Sequence, residues 1–163
     1  MISIGLLSDT HSHIDDKMIN FLSKCDEIWH AGDIGNISII DKLKEIKPIR
    51  AVYGNIDDNE VRQEYEKTII FTLEQVKVIM THIGGYPPNY TSEFKQLIKA
   101  ERPKIFISGH SHILKVIYDK GNECLHINPG AAGIHGLHQK RTMVRFKIDG
   151  TELKDMEIWE HER

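Results

Sequence analysis

The chain has 163 residues, 40% hydrophobic and 28% charged, with 21 Lys+Arg against 24 Asp+Glu and a formal net charge of -3. This length suits one domain with a sizeable core, and the composition excludes a disordered or fibrous chain. The slightly acidic balance supplies no overall positive field for a nucleic-acid backbone or an anionic membrane, so a phosphate-bearing partner must be gripped locally.

In chain order, residues 2–7 read as a strand, 16–23 as a helix, 27–31 as a strand, 38–45 as a helix and 49–53 as a strand. That alternation predicts a βαβαβ unit with a largely parallel sheet. Apolar runs at 69–73, 76–80 and 105–107 continue the strands, and 91–100 reads as a helix that stops before Pro103. Residues 114–118 and 123–127 flank a Lys-Gly turn, while 143–148 and 152–159 flank Asp149-Gly150, a hairpin signal that predicts an antiparallel end to the sheet. No repeat, low-complexity tract or linker divides the chain, so residues 1–163 are expected to form one domain.

The first apolar run has no basic segment before it and Asp9 directly after it, unlike an export signal. No apolar stretch approaches the roughly 20 residues that span a bilayer. A cytoplasmic protein with no membrane partner is expected. Cys25 and Cys124 are far apart and fit neither a disulfide framework nor a thiolate zinc cluster. The chain holds 10 histidines, so imidazole is the soft ligand on offer.

What matters most is how the strands end. The first is followed by Ser8-Asp9-Thr10-His11, the second by Gly32-Asp33, the third by Gly54-Asn55, the run at 76–80 by Thr81-His82, and the run at 105–107 by Ser108-Gly109-His110-Ser111-His112. In α/β sheets the carboxyl edge is where ligands and catalytic groups collect. Taken singly, each residue has a plain explanation: a cap or turn for the aspartates, a positive-φ turn for Asn55, a packed or surface site for a histidine. Five independent caps do not account for seven N/O donors at five strand ends, three of them preceded by glycine. Asp9/His11 and His110/His112 are i, i+2 pairs, which share a side if the chain stays extended past the strand. Asp9, His11, Asp33, Asn55, His82, His110 and His112 exceed the needs of one tetrahedral zinc and suit two ions sharing a bridging carboxylate. Two divalent ions, two aspartates and a hydroxide leave a residual charge of about +1, which invites a phosphate ester.

The order D-x-H, G-D, G-N, a histidine after a strand, then G-H-x-H resembles the calcineurin-like metallophosphoesterase superfamily, and the short chain is similar to its YfcE-type phosphodiesterase branch. The motifs run from Asp9 to His112. The resemblance implies an α/β fold in which a two-sheet β-sandwich is flanked by helices in four αββα layers. It also implies Asp33 as the bridging ligand, one metal on Asp9, His11, Asp33 and His112, and the other on Asp33, Asn55, His82 and His110. Asp33, Asn55 and His82 are the expected catalytic residues. The ligand chemistry suits two divalent ions, manganese first, with iron, zinc, nickel or cobalt as alternatives.

The chain departs from the family pattern in two places. Many relatives read G-N-H-[DE] with a histidine that stabilises the transition state or protonates the leaving group, whereas this chain reads Gly54-Asn55-Ile56-Asp57. Relatives often carry a second histidine two residues after the one matching His82, where this chain has Gly84. Among the other histidines, His13 is either a site neighbour or a helix cap, and His30 is a core or supporting residue. His126, His135 and His138 are expected near the pocket rim, and His161 in solvent. The cysteines read as small buried residues.

The expected function is dinuclear metal-dependent hydrolysis of small-molecule phosphodiesters, with some monoesters, by a metal-bound hydroxide. No stable nucleic-acid complex is expected, and a homo-oligomer is open. The alternative is a non-catalytic interaction module on the same fold, like the small retromer subunit. Specificity would lie in the loops at 84–90, where Tyr86-Pro87-Pro88 reads as a rigid turn, and 131–139.

Overall fold

Alternating apolar runs and amphipathic stretches form twelve strands and four helices in a computed structural model that describes residues 1–163. They run β1 (Ile2–Leu7), α1 (Asp16–Leu22), β2 (Glu27–His30), α2 (Ser38–Ile46), β3 (Ile49–Ala51), α3 (Asn59–Glu64), β4 (Thr68–Leu73) and β5 (Val76–Thr81). The second half runs β6 (Gly85–Tyr86), β7 (Asn89–Tyr90), α4 (Ser92–Glu101), β8 (Ile105–Ile107), β9 (Leu114–Asp119), β10 (Cys124–Pro129), β11 (Lys140–Asp149) and β12 (Glu152–Glu162).

Two five-stranded sheets result, ordered β12-β11-β1-β2-β3 and β4-β5-β8-β10-β9, with β6 and β7 as a separate ribbon. β1, β2 and β3 are parallel, and β11 pairs antiparallel with β1, Leu6 opposite Val144. In the other sheet β5, β8 and β10 are parallel, and β4 and β9 form antiparallel edges. The apolar runs by themselves predict one continuing sheet. Instead β4 begins a second one, because periodicity identifies a strand without naming its partner.

Side chains from both sheets build the central core, among them Leu6, Trp29, Val78, Met80, Ile107 and Phe146. Trp29 meets Phe71 of the opposite sheet edge-on at 5.0 Å and Phe146 at 5.8 Å. Fully buried large side chains such as Trp29 and Phe146 each contribute about 1.5–3 kcal/mol. On the outer face of the first sheet, Met18, Leu22, Ile40, Leu43 and Val61 of α1 to α3 pack on Ile28, Ala51 and Met143. Phe94 and Ile98 of α4 cover Ile79 and Phe106 on the second. The layers are therefore helix, sheet, sheet, helix.

Local signals explain the helix ends. Asp15 caps α1 by accepting the Met18 N–H, and Thr91 caps α4 by accepting that of Phe94. α4 stops at left-handed Arg102 before Pro103. α3 has no counterpart in the sequence reading, since it buries only Val61 and is too short to show a period. Its signal is Asp58, which caps it by accepting the Val61 N–H. The final hairpin turns at Gly150-Thr151, one residue later than Asp149-Gly150, because Asp149 still pairs with Glu152. The 84–90 segment folds into the β6–β7 ribbon, which turns at Pro87-Pro88. No helix is long and apolar enough to cross a membrane.

Candidate metal centre

β1, β2 and β3 lead out of the first sheet to Asp9 and His11, Asp33, and Asn55, while β5 and β8 lead out of the second to His82 and to His110 and His112. Main-chain bonds tie these ends together. The Asp9 N–H donates to Gly32 O at 2.9 Å, the Gly109 N–H to His82 O at 2.9 Å and the Ala132 N–H to Ser8 O at 2.9 Å. All seven residues singled out in the sequence meet at this edge, contributed by both sheets.

Two groups of candidate ligands form, Asp9 with His11 and His112, and Asp33 with His82 and His110, the donor atoms of each group within 4.8 Å of one another. Asn55 adjoins the second group, its Oδ1 3.1 Å from His110 Nδ1. Each aspartate is anchored by one oxygen and presents the other. Asp9 Oδ2 accepts from Ser8 Oγ at 2.7 Å and the His110 N–H at 3.2 Å, leaving Oδ1 facing His112 Nε2 at 3.2 Å and His82 Nε2 at 3.8 Å. Asp33 Oδ1 accepts the Ile56 N–H at 3.1 Å, and its Oδ2 lies 3.1 Å from His82 Nε2 and 3.5 Å from His11 Nε2.

Asp9 Oδ1, His11 Nε2 and His82 Nε2 are buried and make no hydrogen bond. Buried polar atoms are almost always satisfied, so three that converge fit cations in their midst. The electrostatics agree. Burial pushes the Asp9 and Asp33 carboxyls upward, but the imidazoles beside them more than reverse this and hold both well below the usual carboxylate range. Asp33 and Asp9 in turn lift the His11 imidazole to about 9, and they raise His82 against the opposing effect of its burial. A cation-seeking field is what such a cluster produces, and a bound ion would displace those imidazole protons.

The route to convergence differs from the extended chain expected for the i, i+2 pairs. Asp9, His11, Asp33, His110 and His112 have φ of 54°, 43°, 54°, 72° and 62°, all left-handed. An extended pair would carry its second member away from the sheet edge, whereas left-handed residues fold the chain back over it. Non-glycine residues there cost about 1–3 kcal/mol each and cluster at functional sites. Asn55 is not among them, so the positive-φ turn considered for it is absent.

A surrounding set of bonds holds the donors. His82 Nδ1–H donates to Ala31 O at 2.7 Å, which leaves the Nε2 lone pair facing the aspartates. His30 is fully buried; its Nδ1 accepts the Gly32 N–H at 3.1 Å and its Nε2–H donates to Thr10 Oγ1 at 3.0 Å. Burial pushes this imidazole down to about 3. Asp57 accepts N–H bonds from Ile34, Gly35 and Gly54 at 3.2, 2.8 and 2.7 Å, joining the loops that carry Asp33 and Asn55. Asn128 holds the 109–111 loop by donating to Gly109 O and Ser111 Oγ. Asp57 and Asn128 carry the site without entering it, and the sequence signal for Asp57 was its place in G-N-x-D.

Close packing explains the glycines. A Cβ on Gly32, whose φ is +98°, would come within 2.7 Å of His82 Nδ1, and one on Gly54 would overlap Asp33. Ile56 is 46% exposed at the rim and presents only its main-chain N–H to Asp33. His13 pairs with Asp15 at 3.1 Å, so it belongs to the α1 cap. His135 stacks on His11 at 4.7 Å, and His138 meets the His112 ring at 5.2 Å, both at the rim as expected. His126 is not: it is 1% exposed, within the second sheet against Phe106. Its place in β10, with Ile127 on the core face, turns it toward the α4 side.

Residues 2–151 match the model of the calcineurin-like phosphoesterase superfamily domain. A probable metallophosphoesterase of Methanothermobacter thermautotrophicus is 29% identical over 160 residues, covering 95% of this chain and 90% of that one. A solved archaeal phosphodiesterase superposes with a TM-score of 0.77 at 22% identity, covering 97% and 100% of the two chains. Vps29 of Entamoeba histolytica, solved with zinc, gives 0.75 at 16% identity over 99% of each chain. With its motifs, layers and site at one sheet edge all accounted for, this chain belongs to the calcineurin-like phosphoesterase superfamily.

Proposed function

We propose that the protein is a dinuclear metal-dependent phosphodiesterase acting on small-molecule esters. The observation that carries this reading is the convergence of three buried, unbonded atoms, Asp9 Oδ1, His11 Nε2 and His82 Nε2. One ion would be held by Asp9, His11, Asp33 and His112, the other by Asp33, Asn55, His82 and His110. Divalent ions there would lower the pKa of water from 15.7 toward about 7 and offset charge on the phosphoryl oxygens. Imidazole, carboxylate and amide oxygen suit manganese first, with iron, zinc, nickel or cobalt as substitutes.

The protein's own part is to hold the donors ready. Asp33 keeps one oxygen on the Ile56 N–H and turns the other toward both His11 and His82. The bond to Ala31 O fixes the His82 tautomer, and Ser8 fixes the Asp9 carboxylate. Preference for diesters is supported by open space on two sides of the cluster. One cavity adjoins Asn55 and His82, and another lies between His110, His112 and Leu137, so two ester arms have somewhere to go. Isoleucine at position 56 offers no proton, so acidic leaving groups should depart best.

Hydrolysis of bis(p-nitrophenyl) phosphate by the manganese-loaded protein tests this. Turnover exceeding that of p-nitrophenyl phosphate, and lost by at least about a hundredfold in Asp33→Asn, is expected. No turnover with metal bound would favour the second reading, an interaction module. Two observations favour that alternative: Ile56, Ile83, Ile113, Ile134 and Leu137 are exposed on loops along the same edge, and the fold is shared with Vps29.

A further inference from the structure

The cavity beside Asn55 and His82 encloses about 300 Å3 and brings fixed positive charge next to the candidate ligands, with Arg62 and Lys67 on its wall. Arg62 projects from α3. Its Nε donates to Asp57 O at 2.7 Å and its Nη2 to Asn55 O at 3.2 Å, while its guanidinium lies 4.7 Å from the Tyr53 ring centroid. Those contacts fix the guanidinium plane and neutralise none of its charge. The arginines that pair with carboxylates are Arg50, Arg141 and Arg145, not Arg62. Its Nη1 donates to no protein acceptor. A guanidinium stays charged at every working pH and presents a fork matched to phosphate oxygens.

Lys67 lines the same space, 3.2 Å from Glu93 Oε2, with side-chain exposures of 59% and 72%. So exposed a pair contributes little and is readily exchanged for a better anion. The groove on the other side of the cluster is different. Its walls are His110, Ser111, His112, Ile113, Leu137 and His138, with no lysine or arginine. Arg163 donates to Gly136 O beside that groove, so what distinguishes the Asn55 side is that both of its cations line the cavity next to the candidate ligands.

We infer that the Arg62–Lys67 cavity is a subsite for a second phosphate, so that preferred substrates are unsymmetrical phosphodiesters with one arm carrying an additional phosphoryl group. This rests on the phosphodiesterase reading for the reacting phosphate, and on the cavity alone for the second. A simple diester brings one negative charge, which two divalent ions on the candidate ligands would balance. A further phosphate needs its own cations, and Arg62 and Lys67 are positioned to supply them.

Calorimetric binding of thymidine 5′-phosphate and thymidine 3′,5′-bisphosphate to the manganese-loaded protein tests the subsite without turnover. The bisphosphate is expected to bind at least about tenfold tighter, since it adds charge-assisted bonds to the held guanidinium of Arg62 and to Lys67. That ratio should drop at least about threefold in Lys67→Met and further in Arg62→Gln. Because Arg62 also braces the Asn55 loop, the Lys67 variant provides the arm free of that effect. Equal binding by the wild-type protein, or a preference that survives both substitutions, would overturn the subsite. A kinetic arm compares kcat/KM for the p-nitrophenyl ester of thymidine 5′-phosphate with and without a 3′-phosphate. Bisphosphate preference without hydrolysis of either ester would leave the subsite standing and sink the hydrolytic reading. Hydrolysis of both at equal kcat/KM, together with equal binding, would do the reverse.

Discussion

Gly54 packs so closely on Asp33 that a Cβ at position 54 would overlap both the Oδ1 and the main-chain nitrogen of that aspartate. Gly54→Ala must therefore move either the Asn55 loop or Asp33 itself. The expected result is a loss of metal affinity of at least about tenfold and a destabilisation of about 1–3 kcal/mol, because overpacking distorts what it cannot compress. Titration with manganese and a denaturant melt measure the two effects separately. Unchanged metal affinity would show that Asp33 is not held by this contact.

Asp57 accepts three main-chain N–H bonds from the loops that carry Asp33 and Asn55. Asp57→Asn keeps the shape but turns one acceptor oxygen into a donor facing N–H groups. About 10–100-fold weaker metal binding is expected, the usual effect of losing a support behind a ligand. If the residue matters only for stability, melting will shift while metal affinity stays put.

Position 56 sets the leaving-group dependence. Across aryl diesters of rising leaving-group pKa, the wild-type rate is expected to fall steeply, because Ile56 has no proton to give. Ile56→His should raise turnover of alkyl esters by at least about tenfold and change nitrophenyl esters little, since general acid catalysis contributes about 10²–10⁴-fold where a proton is needed. A flat dependence in the wild-type protein would mean that another group already acts as the acid.

His126, like His30, makes the fold sensitive to acid. Burial pushes its imidazole from 6.5 down to about 4, and Lys115 adds to this. The unfolded chain binds the proton below 6.5 while the folded chain refuses it until about 4. Its neutral form thus supports the fold fully above that range, and stability falls as the pH drops through it, by roughly 3 kcal/mol at most. Urea melts from pH 7 to pH 4 should show a shallower decline for His126→Leu than for the wild-type protein. Parallel declines would assign the acid sensitivity elsewhere.

The sequence made some of this legible and hid the rest for physical reasons. Ligand candidates stand directly after strands, so Asp9, Asp33, His82 and the His110/His112 pair could be placed on one edge from short-range pattern alone. The two-sheet layering came with the resemblance that the motifs carry and not from the apolar runs, which by themselves predict one continuing sheet because periodicity does not name a strand's partner. The left-handed backbone at Asp9 and His112 was invisible, because a polar residue after a strand gives no periodic sign of its φ. The motif G-N-x-D marks Asp57 but not its bracing role, since two of its partners, Ile34 and Gly35, lie 23 and 22 residues away. His126 looked like a rim residue from its nearness to Asn128-Pro129-Gly130, but strand alternation turns it inward.

The most direct test of the account is the metal content of protein purified without chelator and dialysed against manganese, read by elemental analysis against protein concentration. About two divalent ions per chain are expected, as a shared carboxylate with six further donors requires. A ratio near zero would contradict the central claim, and would leave the convergence of Asp9, His11 and His82 without the cations that explain it.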